Sequence, residues 1–480
     1  MNAPTDPSLL ERTAALQGLG EPRLRKEDAR FIQGKGNYVD DLKLPGMLHM
    51  DIVRSPLAHA RIKSIDKRAA LAIPGVHAVL TADDLKPLKL HWMPTLAGDV
   101  AAVLADEKVH FQMQEVAIVI ADDRYIAADA AEAVVVAYEE LPMVMDPYAA
   151  LLPDAPVLRE DLAGKTSGAH GPREHHNHIF TWDAGDSAAT DAAFAAAPVT
   201  VSQHMHYPRV HPCPLETCGC VASFDAIRGE LTTHITSQAP HIVRTVVSLL
   251  SGIPEIHAKA RKIAAHLLEV GENDLDWEID RFNVTGDNAR FKTMKDIAWA
   301  SYNSPPPGLE PGLEAVHYYD PPNFTFPFGV YLCVVDIDRG TGETQIRRFY
   351  ALDDCGTRIN PMIIEGQIHG GLTEGFAVAM GQQMPFDAQG NLTGNTLMDY
   401  FLPTAVETPH WETDHTVTPS PHHPIGAKGV AESPHVGSIP TFTSAVVDAF
   451  AHLGVTDMTM PHSAWRVWQQ LQKSGVALAP

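Results

Sequence analysis

Cysteine is scarce in this chain. Five thiols in 480 residues, odd in number and irregularly spaced, argue against a disulfide framework and point to a reducing compartment, the cytoplasm. Cationic side chains are also few: 36 Lys and Arg against 59 Asp and Glu leave a net charge of -23, too little positive charge to neutralise phosphates. Nucleic acid and anionic membrane surfaces are therefore poor partners. No window approaches the roughly 18 apolar residues of a membrane helix. The opening Met1-Asn-Ala-Pro-Thr-Asp-Pro has neither the basic start nor the apolar run of a signal peptide. The sequons at Asn283, Asn323 and Asn391 accordingly carry no expectation of a glycan.

What is present reads as an α+β protein of about three domains, 45% hydrophobic and 20% charged. Residues 1–157 alternate strand-like runs, Met47 to Val53 and Glu115 to Ala121, with a helical pattern at Ala127 to Ala137. From Leu158 to Asp186 the composition turns to Gly, Pro, His and polar residues, the signature of a linker or long surface loop. His170, His175, His176 and His178 lie close together there, but their spacing matches no helix or strand face, so a solvated loop is expected rather than a metal site.

The second piece, 158–255, continues with strands at Val199 to His206, Cys218 to Phe224 and Leu231 to Gln238, with a turn at Arg228-Gly229. An amphipathic helix follows, with Ile242, Val246, Val247 and Leu250 on one face. Cys213, Cys218 and Cys220 fit neither a zinc pair nor an iron–sulfur spacing, and thiols in a β-rich core are expected. A second helix, Ile256 to Leu268, follows directly, without intervening strands to supply a sheet.

In the third piece, 256–480, Val330 to Asp338 and Glu343 to Tyr350 form a hairpin about Arg339-Gly-Thr-Gly342. Asn360-Pro361 then opens a helix as N-cap and N1 residues. Gly366 and Gly370, like Gly371 and Gly375, give it a face almost free of side chains that can press on a neighbour, beside an apolar ridge of Ile364, Ile368, Leu372 and Phe376. Free N–H groups at its start favour a phosphate, with Asp353 and Asn360 flanking the entry.

The run Gly426-Ala427-Lys428-Gly429-Val430-Ala431-Glu432-Ser433-Pro434 combines small residues, which let backbone N–H groups lie against a bulky anionic ligand, with one acid. Desolvated there, Glu432 would titrate near neutral pH and could take a proton. On residue chemistry alone a solvated turn is the commoner outcome. Likewise Gln238, at a strand end, reads as a capped or paired amide as readily as a ligand contact.

These words together resemble the molybdenum hydroxylases, the xanthine oxidase and aldehyde oxidase superfamily, and within it the large subunits of aerobic carbon monoxide dehydrogenases. The likeness extends over Arg23 to Asp41, Leu88 to Asp123, His211 to Cys220 and Asp353 to Pro361. It implies an N-terminal hammerhead domain followed by a molybdopterin-binding α+β region. That region looks incomplete, because in the family several hundred residues separate Glu255 from Ile256. The absent block would carry a Gly-rich loop, a copper-holding cysteine loop and a Gln-Gly-Gln-Gly-His loop. The resemblance further implies molybdopterin cytosine dinucleotide as cofactor, with copper in intact members. FAD-binding medium and iron–sulfur small subunits are implied as partners, in a dimer of heterotrimers. Glu432 becomes the catalytic base, Gln238 a hydrogen-bond partner of the metal's oxo group, and Lys428, Gly429, Val430 and Ala431 backbone donors to the cofactor. An oxidoreductase acting on carbon monoxide, a non-catalytic deletion remnant, and an aldehyde or purine hydroxylase all remain open on these residues, the last disfavoured by the wording around Glu432.

Overall fold

In the computed structural model, residues 18–94, 100–160, 175–227, 229–251, 257–278, 281–304, 307, 323–394 and 396–476 are described. The N-terminal unit has β1 (His49–Arg54), β2 (Ala60–Asp66), β3 (Val76–Thr81), β4 (Glu115–Ala121), α1 (Arg124–Glu132) and β5 (Val135–Glu140). β4 lies between β1 and β3 with antiparallel pairing on both sides, while β2 pairs with β5 in a second sheet. Strand β4 is apolar after Glu115 because both its faces are covered, and Val116, Ala117, Val119 and Ala121 are fully buried. The helix expected over Ala127 to Ala137 is shorter and earlier. Asp123 caps it, accepting from the Tyr125 and Ile126 N–H groups at 2.8 Å each. Its expected second half becomes β5, where β-branched Val135 and Val136 begin a strand paired to β2.

The middle of the chain holds α2 (Ser187–Ala196), a lone hairpin of β6 (Cys220–Asp225) and β7 (Glu230–Ile235), and α3 (Pro240–Ser251). The strand expected at Val199 to His206 does not form; the segment is irregular and exposed, with Gln203 Nε2 donating to Asp457 Oδ1 at 2.9 Å, and just beyond it Met384 N–H donates to Arg209 O at 2.8 Å. Cys218 and Cys220 are exposed and Cys213 is half-buried, so the expected burial of these thiols is overturned: a two-stranded ribbon has no second layer to bury them. Of the histidine loop, His170 and the turn residue Arg228 lie outside the described residues, as does the Glu255-Ile256 junction; the rings of His175 and His176 stack edge-on at 5.4 Å. Among the described residues no group of three or more His, Cys, Asp or Glu could hold a metal ion.

Helix α4 (His257–Leu268) does find a sheet. It packs on the meander β8 (Leu275–Glu278), β9 (Arg281–Val284) and β10 (Asp287–Thr293) that follows it, and on α5 (Met294–Asn303), around Ile263, Leu268, Phe282 and Ile297. Thr293 and Asp296 form a reciprocal cap on α5.

The C-terminal unit is built on β11 (Phe328–Ile337), β12 (Thr344–Asp354) and β13 (Trp411–His415), with β12 central, antiparallel to β11 and parallel to β13. Helices α6 (Pro361–Met380) and α7 (Glu432–Ala451) cover one face, and α8 (Ala464–Lys473) closes the end. Phe349, Phe376, Trp411 and Phe442 form the core, with Phe349 and Phe442 centroids 4.7 Å apart. Gly371 approaches Pro434, and Gly375 approaches Ser438, so closely that a Cβ on Gly375 would lie 1.9 Å from Ser438 Oγ. The expected glycine face thus presses on α7. Gly366 and Gly370, in contrast, meet nothing within 4 Å.

Candidate functional site

Strand β12 ends in Asp353 and Asp354, which point to opposite sides of the sheet by the alternation of strand side chains. The chain then turns through Gly356, at φ +65°, where a Cβ would stand 2.1 Å from Gly426 O. Only glycine fits. Gly356 bridges Ala427, Lys428 N–H donates to Cys355 O at 2.8 Å, and Thr357 N–H donates to Gly426 O at 3.1 Å. The two loops that the sequence singled out are therefore stitched side by side.

Asp354 is fully buried. Its carboxylate accepts from Gly356 N–H at 2.9 Å, Thr418 N–H at 3.1 Å, Thr416 Oγ1 at 2.9 Å and Lys428 Nζ at 3.1 Å. Burial pushes its pKa up, but the donors of Gly356, Thr418 and Lys428 outweigh this and hold it below the ordinary carboxylate value. Lys428 Nζ also sits 4.8 Å from the Phe328 ring centroid.

Asp353 faces the helices. Its Oδ1 accepts from Tyr331 Oη at 2.5 Å and Ser433 Oγ at 3.1 Å. Its Oδ2 is buried without a partner. Burial raises its pKa, only partly opposed by those two hydroxyls, and burial together with the adjacent carboxylate raises that of Tyr331. Thr357 Oγ1 and Arg358 Nε, in the turn that follows, are likewise buried without a hydrogen-bond partner, while Arg358 Nη2 lies 3.8 Å from Glu365 Oε2.

The remaining expected residues divide. Asn360 is the N-cap of α6 and Pro361 its first residue, yet the Asn360 side chain makes no cap bond. It holds the N-terminal arm instead, donating to Arg23 O at 2.8 Å and accepting from Arg23 N–H at 3.4 Å. The Lys428 N–H is already used by Cys355, so it is no free donor to a cofactor. Gly429 opens onto space with nothing within 4 Å of a Cβ, while Val430 packs on the core. Ala431 is the N-cap of α7, and Glu432 is its first residue. Glu432 is exposed, contrary to the expected dry setting. Gln238, also exposed, follows β7 in the hairpin unit, which touches the N-terminal region through Val39 N–H to Glu216 Oε1 at 3.0 Å; no described contact joins it to the Asp353 cluster. Sequence reasoning missed Tyr331, Asp354, Thr357, Arg358 and Ser433. The acid doublet closing an apolar strand was the available signal for Asp354; Tyr331 looked like any inward strand residue.

Residues 33–142 match the aldehyde oxidase and xanthine dehydrogenase a/b hammerhead domain, and residues 170–263 and 248–409 each match a molybdopterin cofactor-binding domain. A hammerhead followed by such domains defines a molybdenum-dependent oxidoreductase of the xanthine dehydrogenase superfamily. The carbon monoxide dehydrogenase large chain of Hydrogenophaga pseudoflava is 49% identical, with 100% of both chains covered. That of Afipia carboxidovorans is 39% identical, covering 98% of this chain and 99% of that one. The structure of reconstituted CO dehydrogenase from Oligotropha carboxidovorans superposes with a TM-score of 0.81 at 39% identity, covering 98% and 100%. This chain belongs to the carbon monoxide dehydrogenase large-chain family. Quinoline 2-oxidoreductase from Pseudomonas putida 86, at 21% identity and TM-score 0.74 over 95% and 98%, shares the fold.

Proposed function

We propose that the chain serves as the molybdenum subunit of an enzyme that oxidises carbon monoxide with water to carbon dioxide, releasing two protons and two electrons. The observation that carries the reading is the buried, unpaired polar set of Asp353 Oδ2, Thr357 Oγ1 and Arg358 Nε beside the start of α6. Unpaired groups of this kind cost about 1–3 kcal/mol each, so they suit a polar ligand that satisfies them. Residues present fit a pterin-type cofactor here: Asp353 can accept from a ring N–H, Thr357 and Arg358 can bind an anionic tail, and the N–H groups of Gly429, Val430 and Ala431 remain as donors. When bound, that cofactor supplies the metal that takes up the two electrons. Glu432, in the first turn of α7, would hold and release protons at its carboxylate.

Further parts of the reading are proposals of the same kind. The cytosine dinucleotide form of the cofactor, a copper site, FAD and iron–sulfur subunits in a dimer of heterotrimers, and a cytoplasmic location are supported by the family likeness. Gln238 would face the cofactor from the hairpin side. A missing block at Glu255-Ile256 is supported by an alignment with the Hydrogenophaga relative that runs over 804 residues, against 480 in this chain.

The test is molybdenum per chain, by metal mass spectrometry, on protein co-expressed with the partner subunits and the cofactor pathway. A value near one supports the reading. A value near zero overturns it and leaves a non-catalytic member of the family.

A further inference from the structure

An arm near the N-terminus, Gly20 to Arg23, lies against the start of α6, 337 positions later in the chain. Apolar burial does not pin it there: residues 20–27 are exposed, Leu24 to 79%. Its ties to this turn are hydrogen bonds. Gly20 N–H donates to Ile359 O at 3.1 Å, Asn360 Nδ2 donates to Arg23 O at 2.8 Å, and Arg23 N–H donates to Asn360 Oδ1 at 3.4 Å. The Arg23 guanidinium pairs with Glu21 at 3.3 Å, within the arm itself, so the arm grips the turn through backbone groups.

Asn360 gives up its ordinary task to do this. An N-cap asparagine usually accepts from an N–H of the first helical turn, yet the Asn360 side chain makes no such bond. One carboxamide oxygen is spent on the Arg23 N–H instead, and the amide nitrogen on the Arg23 carbonyl. The two residues before Ile359 are Thr357 and Arg358, with their buried, unpaired Oγ1 and Nε.

We propose that Asn360 is a positioning residue: it holds the N-terminal arm, and the arm so held braces the turn from Thr357 to Asn360 that retains the anionic end of the cofactor. The inference rests on the function proposed above. Gly20 has a matching part. Its φ of +82° favours glycine, and a Cβ there would meet only Arg358 O at 3.9 Å, so conformation rather than space sets the requirement.

Two variants approach the clamp from its two sides. Asn360→Ser supplies a good N-cap but is too short to keep both bonds to Arg23, whereas Gly20→Val strains the arm and leaves Asn360 and α6 untouched. On protein co-expressed with the partner subunits and the cofactor pathway, molybdenum loss after desalting is followed by metal mass spectrometry. Both variants should lose it about tenfold faster than the parent, the scale of two exposed hydrogen bonds, while Asn360→Ser melts at or above the parent's temperature. Amide exchange on the cofactor-free full chain needs no metal: the Gly20 and Arg23 amides should be protected in the parent and released in Asn360→Ser, with the α6 amides still protected. Released arm amides with molybdenum held as tightly as in the parent would overturn the inference and leave the proposed function standing. So would arm amides equally protected in both, or a loss of molybdenum that only follows a lower melting temperature, which would reduce Asn360 to a structural cap. A parent that never loads molybdenum overturns the function and this inference together.

Discussion

Lys428 Nζ lies 3.1 Å from Asp354 Oδ1 with both side chains shut away from water, 7% and 0% exposed. The pair joins the 426–431 loop to the end of β12 and so fixes the spacing between Asp353 and the backbone of Gly429 to Ala431. Removing one partner strands the other charge in the interior. Lys428→Met should therefore cost about 3 kcal/mol or more in denaturant unfolding. Adding Asp354→Asn should recover part of the loss, because the two changes share one interaction. Additive losses in the double variant would show that the pair is not coupled.

Glycines on α6 should respond in opposite directions. Gly366 faces open space, so Gly366→Ala should stabilise by about 0.5–1 kcal/mol through helix propensity. Gly375 is pressed against Ser438 Oγ and His435 O, and Gly375→Ala should destabilise by about 1–3 kcal/mol. Thermal melts of the two variants decide it; a shift of the same sign in both would contradict the packing of α6 on α7.

The glycine pattern shows where sequence reading succeeds and where it stops. Four glycines at helical spacing announced a close-packed face, and Gly371 and Gly375 provide one; nothing in the spacing said that Gly366 and Gly370 would be left bare. The β11–β12 hairpin was legible because alternation and the Arg339-Gly-Thr-Gly342 turn are local signals. Strand β5 was not, since alanines running through Ala127 to Ala137 favour a helix and only pairing with β2 overrides them. Within the site, Asp353 and Lys428 could be named from wording, but Tyr331, 22 positions before Asp353, reaches it through strand pairing that no local pattern records. Glu432 shows the same limit in reverse: a carboxylate among small residues suggested a desolvated site, and helix α7 instead presents it to solvent.

Exposure gives Glu432 a clean experiment. Because no packing depends on it, Glu432→Gln should change stability by no more than about 0.5 kcal/mol. If its carboxylate moves protons during turnover, carbon monoxide-dependent dye reduction by the assembled enzyme should fall by about 10²- to 10⁴-fold with molybdenum content unchanged. Turnover equal to the parent's would remove Glu432 from the mechanism. A fall in bound molybdenum would assign it to holding the cofactor instead.

The acid limit of stability should reside partly at His462, away from the site. Its ring is 1% exposed, with Nε2 3.1 Å from Thr443 Oγ1 and Nδ1 unpaired, and burial, helped by Arg466, lowers its pKa to about 4. The folded state thus keeps a neutral imidazole, whereas the unfolded chain takes up a proton near the ordinary value of about 6.5. Unfolding therefore binds a proton between these values, so stability is highest above pH 6.5 and declines as pH falls toward 4, by roughly 3 kcal/mol from this group. A His462→Asn variant, which cannot charge, should be less stable than the parent at pH 7 because packing and the Thr443 contact are disturbed, yet lose less on acidification. The measurement is denaturant unfolding at a series of pH values. Parallel curves for parent and variant between pH 6.5 and 4 would place the acid sensitivity of that window in other groups; Asp354 acts at lower pH, because its depressed pKa contributes stability that is lost only as pH falls below the ordinary carboxylate value.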